Sequence, residues 1–84
     1  MDLILKNFFK EYLKCFDSLL VDISFDEDII YLKRKLNGAE IIISSYSVET
    51  RGNWVLTAIE LFALINCWNA IRMQLDVSYQ RSIL

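Results

Sequence analysis

The chain has no histidine and no proline, two glycines, two cysteines and almost no excess of either charge. Each shortage removes a class of function. Without histidine there is no serine-histidine triad, no histidine-ligated zinc and no imidazole general base. Cys15 and Cys67 are too few for a structural zinc site, and both lie in apolar, helix-like surroundings. They read as free buried thiols of a reducing compartment, which makes the cytoplasm the expected location. Cys15 follows Lys14, but adjacent residues of a helix point apart, so the lysine does not activate the thiol. No glycine-rich phosphate loop is present. The chain is expected not to be an enzyme and to carry no cofactor and no metal.

Nine lysines and arginines against eleven acids leave a net charge of -2. No overall field draws such a chain to nucleic acid or to an anionic membrane. The first residues, MDLILKNFFKEYLK, start with an acid and carry lysines through the apolar positions, unlike a secretory signal, so no targeting segment is expected. The most apolar stretch, Trp54 to Trp68, holds Glu60 in its middle and is followed closely by Asn69, which disfavours a membrane span.

What is present is apolar material: 55% of the 84 residues are hydrophobic and 13% aromatic, enough for one folded domain over residues 1–84. Leu5, Phe8, Phe9, Tyr12, Phe16, Leu19 and Leu20 recur at three-and-four spacing, which predicts an amphipathic helix over 3–20. Its outer face carries Lys6, Lys10 and Lys14, with Asp2 and Asp17 placed to pair with the two ends of the stripe. From Val21 to Asp26 the period becomes two, as in a half-buried strand. Asp26, Glu27 and Asp28 form a polar turn; the ligand spacing and glycine of a calcium loop are missing.

Asn37-Gly38 then separates two β-prone runs, a strong hairpin signal. A two-residue turn there sets Leu36 opposite Ala39, Lys33 opposite Ile42 and Tyr31 opposite Ser44. Ile30, Leu32, Leu36, Ala39, Ile41 and Ile43 join Val21, Ile23 and Phe25 on the core face. The other face carries Ile29, Tyr31, Ile42, Tyr46 and Val48 among Asp22, Lys33, Lys35 and Glu40. Asn53 is placed as the cap of a second helix starting at Trp54, with a break at Asp76 to Ser78 and a short final helix. A straight helix projecting into a dimer is the alternative. The predicted fold is α+β: a helix, a three-stranded antiparallel sheet, a long helix and a short one.

An apolar centre with a charged rim is the composition of an interaction surface. The candidate partner-binding residues are therefore Tyr31, Tyr46, Ile29, Ile42, Lys33, Lys35 and Glu40, with the acidic turn Asp26, Glu27 and Asp28. The rival reading folds the C-terminal segment VSYQRSIL back over this face. A helix that is apolar around two thirds of its circumference must also be contacted from two directions, which makes Trp54, Leu61 and Trp68 candidates for a homodimer contact. The lysines beside Tyr31 and Tyr46 suit phosphate and base stacking, yet the neighbouring acids oppose direct nucleic-acid binding.

The order of elements, one helix, a three-stranded antiparallel sheet, then a helix, resembles that of small phage-encoded anti-CRISPR proteins, in order and size and without a shared residue motif. The resemblance implies a stoichiometric inhibitor that occupies a surface of a host complex that processes nucleic acid. The near-balanced charge departs from the strongly acidic members of that group and favours protein contact over nucleic-acid mimicry.

Overall fold

The computed structural model describes the backbone of residues 3–83 and side chains from 3 to 73. It is an α+β fold: helix α1 (Leu3–Tyr12), an antiparallel sheet of β1 (Val21–Asp26), β2 (Ile29–Arg34), β3 (Glu40–Ile43) and β4 (Val48–Arg51), and helix α2 (Ala58–Ile83). The strands lie in chain order, each paired with its sequence neighbour.

α1 is shorter than its apolar pattern predicts. A single 3-10 turn, Leu13–Cys15, follows it, and Phe16 is already extended. Asp17 ends the helix with its own bonds: its Oδ1 accepts from the Leu19 amide at 2.9 Å and its carbonyl accepts from Leu20 and Val21. Such local bonding competes with the helical ladder. Leu19 and Leu20 are consequently exposed, as are Phe8 and Tyr12 in part, while Leu13, outside the expected stripe, is buried. Phe9, Leu13 and Phe16 stand four and three positions apart, so they meet on one side in the core. Lys14 pairs with Glu11 at 2.8 Å instead of with Asp17. Asp2 lies outside the described residues.

The sheet has four strands, not three. Ser44 reverses the chain: its amide donates to the Ser47 carbonyl at 2.9 Å, and its Oγ accepts from the Tyr46 and Ser47 amides. β4 then returns beside β3, with Val48 opposite Ile43. Opposite residues share a face, so Val48 belongs to the core side and not to the open one.

The Asn37-Gly38 hairpin forms with a different loop. Tyr31 faces Ile42 and Lys33 faces Glu40, a register two residues away from the one a two-residue turn dictates. Arg34 and Ala39 close the loop through Arg34 N–H to Ala39 O, and Gly38 N–H returns to Arg34 O, both at 2.8 Å. Gly38 has a positive φ of 72° and Asn37 does not, which rules out the mirror-image turn that needs both. Asn37 instead accepts from the Ala39 amide and donates through its side chain to the Asn53 carbonyl at 2.8 Å. A shift of two keeps every paired residue on its face. Leu36, however, sits in the loop and is exposed instead of joining the core.

α2 begins at Ala58, four residues later than expected. Thr57 is its cap, in reciprocal exchange with Glu60: the Thr57 amide donates to Glu60 Oε1 at 2.8 Å and the Glu60 amide donates to Thr57 Oγ1 at 3.2 Å. This capping box satisfies amides that otherwise lack partners. Residues 53–57 run before it, with Trp54 and Leu56 half-buried and Val55 exposed. No break occurs at Asp76 to Ser78, and the helix continues to Ile83. Aspartate, valine and serine each cost less than about 0.7 kcal/mol in a helix interior, too little to stop cooperative propagation when neither glycine nor proline intervenes. The result is elongated, 47 × 22 × 21 Å.

One core lies between the sheet and the helices. Phe9, Leu13 and Phe16 come from the N-terminal segment, Ile30, Leu32, Ile41 and Ile43 from the sheet, and Leu64, Cys67 and Ile71 from α2. Both helices contribute to this one face of the sheet. Because α2 runs on as a single helix to Ile83, the described residues of the C-terminal segment are not a strap over the opposite face.

Candidate functional site

The uncovered face of the sheet is built of cross-strand rows. Asp22, Lys33, Glu40 and Arg51 stand opposite one another in succession across β1 to β4. Their charges alternate in sign, the arrangement that stabilises cross-strand neighbours. The next row is Ser24, Tyr31, Ile42 and Glu49, and beyond it Asp26 pairs with Ile29. Bonds from Lys35 N–H to Leu20 O and from Arg34 N–H to Ala39 O fix which residues of β2 point their backbone to which neighbour. Odd-numbered residues turn to β1, so Tyr31 and Ile42, like Lys33 and Glu40, are non-hydrogen-bonded pairs, whose side chains approach more closely.

This face divides into two shallow depressions. One, of about 280 Å³, is lined by Asp22, Ser24, Tyr31, Lys33 and Glu40. The other, of about 290 Å³, is lined by Asp26, Glu27, Asp28, Ile29 and the Ser44 to Tyr46 turn. The acidic turn and Tyr46 are thus brought to one end, with Ile29 between them. Tyr46 is 91% exposed at the tip of its turn, whereas Tyr31 is 37% exposed in the middle of the face. Lys35 reaches Asp22 at 3.5 Å. Sequence reading missed Glu49 and Arg51, which complete the rows; the alternation in VETR was the available signal.

The dimer candidates separate. Trp54 packs edge-on against Phe16, with ring centroids 6.0 Å apart, and is half-buried. Trp68 is half-buried beneath the Arg72 guanidinium, 4.8 Å from its ring centre. Its indole N–H is buried without a hydrogen-bond partner. Leu61 is exposed, and Ile59, Phe62, Ile65 and Met73 are exposed with it along the outer side of α2.

Cys15 is exposed and Cys67 buried, so only one of the two thiols has the expected environment. Partial burial, then the nearby Glu60 carboxylate, raises the Cys15 pKa, opposed by a backbone hydrogen bond. Burial pushes Cys67 up to about 12. Neither is an activated nucleophile. Among the described residues no group of three histidines, cysteines or acids could hold a metal ion, and no helix is long and apolar enough to cross a membrane. Asp22 borders both the depression holding Lys33 and a groove holding Lys10 and Lys14, so an acid stands between the two lysine groups.

No family model, curated protein or solved structure matches this chain.

Proposed function

We propose that this chain is a small non-enzymatic binding protein of the inhibitor type, which occupies a surface of a partner protein with the open face of its sheet. The observation that carries this reading is the one-sided covering of the sheet. Tyr31, Ile29 and Ile42 form the centre, Lys33, Lys35, Glu40 and Asp22 the rim, and Tyr46 with Asp26, Glu27 and Asp28 an end wall. Tyrosine presents a large contact area for little lost freedom and is a frequent hot-spot residue. Mixed rim charges suit a protein surface better than a phosphate backbone. The element order read from the sequence, which resembles that of anti-CRISPR proteins with three strands where the structure has four, suggests an inhibitor that acts in the cytoplasm on a nucleic-acid-processing complex.

The test is affinity capture with the immobilised chain and with a Tyr31→Ala/Tyr46→Ala double variant that melts at the same temperature. Loss of a stoichiometric partner in the variant supports the reading; equal capture by both removes it.

A second reading, self-association, has its own observation: Phe62 and Met73 are 67% exposed on the outer side of α2, beside Leu61 and Ile65. A chain that stays monomeric by light scattering over an about hundredfold concentration range excludes it.

A further inference from the structure

The free edge of β1 has the construction of a strand-docking site. Lys35 N–H bonds Leu20 O, and the register carries this pattern along β1 to Asp22, Ser24 and Asp26, whose backbone groups turn inward to β2. Ile23 and Phe25 therefore turn their N–H and C=O groups outward, and among the described residues no hydrogen bond engages them there. An edge of this kind is a template for another strand. β4, the other edge, is four residues long and exposed throughout, so it offers no apolar wall.

Beside the β1 edge lies a depression of about 740 Å³. Phe16, Val21, Ile23 and Phe25 give it an apolar floor beside the strand, and Lys10 and Lys14 line it as well. Ile23 and Phe25 are half-buried against the core and uncovered on this side. A strand laid along β1 would place alternate side chains over this floor and the intervening ones on the open face, next to Asp22 and Asp26.

We infer that β1 accepts an extended segment of a partner protein in which apolar and basic residues alternate. The apolar set covers Ile23 and Phe25, and the basic set meets Asp22 and Asp26. The same acids argue against a second copy of this chain: the two-fold antiparallel register joining Ile23 to Phe25 of the copy sets Asp22 against Asp26 of the copy twice. Like charges placed directly opposite are destabilising. This surface shares Asp22 and Asp26 with the border of the Tyr31 and Tyr46 contact, but its backbone edge and apolar depression lie outside that contact, so the response to Tyr31→Ala tells the two apart.

The experiment uses the full chain, amide exchange read residue by residue, and two short capped peptides, one alternating valine and lysine and one alternating valine and glutamate. The lysine peptide is expected to slow exchange at Ile23 and Phe25 by about tenfold or more, leaving Val48 and Thr50 unchanged. An Asp22→Lys/Asp26→Lys variant should reverse the preference, and Tyr31→Ala should leave it intact. Ile23→Pro, which removes one outward N–H and none of the bonds to β2, should abolish the effect. Should that variant unfold, the charge-reversal pair still decides. Absence of protection at saturating peptide, equal protection by both peptides, or protection at β4 would overturn the proposal. So would protection without peptide that grows with protein concentration, which would assign the edge to a second copy.

Discussion

The two faces of the sheet are made from the same strands, and neighbouring residues live under different rules. Ile41 is fully buried, packed in the core that Phe9, Leu64 and Ile71 share, whereas Ile42, the next residue, is half-covered beside Tyr31. On the first face a side chain is held by everything around it. On the second it is held by one or two cross-strand neighbours and is available to something else. The difference teaches where variation can test function without first testing folding.

The largest separation is expected from truncating these two isoleucines. Ile41→Ala should cost about 3 kcal/mol, and Ile42→Ala under about 1 kcal/mol, by denaturant unfolding. Similar losses would mean that the second face is covered after all. The two glycines give a smaller contrast. Gly52 has φ 82°, and a Cβ there would lie 3.2 Å from the Ala39 Cα, while Gly38 has φ 72° with open space around it. Gly52→Ala should therefore cost about 2 kcal/mol and Gly38→Ala about 1 kcal/mol. Thr57→Ala should remove about 1 kcal/mol by breaking the capping box, whereas Asn53→Ala should lose less, since Asn53 contributes its carbonyl and not a cap. Least affected should be Asp22→Asn on the open face, under about 0.5 kcal/mol and shrinking with added salt, because its ion pair with Lys35 is exposed.

The thiols repeat the contrast between inside and outside. Cys15 should alkylate in the folded chain and Cys67 only on unfolding. The Cys67 pKa is raised from 9.0 to about 12, so its contribution to stability is complete below about pH 9 and is lost as pH rises towards 12. A Cys67→Ala variant should show a flatter alkaline profile; an unchanged profile would place the alkaline loss elsewhere.

Much of the sheet was legible in the sequence because alternation survives errors of even size. Ile30, Leu32, Ile41 and Ile43 face the core even though the hairpin register differs by two. The loop itself was not legible, since one of its bonds runs from Asn37 to Asn53, sixteen positions away. The β3–β4 hairpin went unseen for a different reason. Its turn, Ser44 to Ser47, has no glycine, proline or asparagine and closes through the Ser44 hydroxyl, a weaker and less specific signal. That omission put Val48 on the wrong face and hid Glu49 and Arg51 from the candidate site. The helix start was written plainly in TAIE, Thr57 to Glu60, but the apolar run preceding it reads equally well as helix. Of the candidate site, Tyr31, Lys33, Glu40 and Ile42 fall where alternation placed them, and the acidic turn and Tyr46 share one end because a reversal in the chain, not a continuing strand, carries Tyr46 there.

The sheet order, in which each strand lies beside its sequence neighbour, bears on how quickly the chain finds its structure. Each pairing closes a loop of only a few residues, so little entropy is lost before contacts form. The long-distance work is confined to docking α1 and α2 against the finished meander. Stopped-flow refolding should accordingly run on the millisecond scale or faster, with the three hairpins formed before the helices dock.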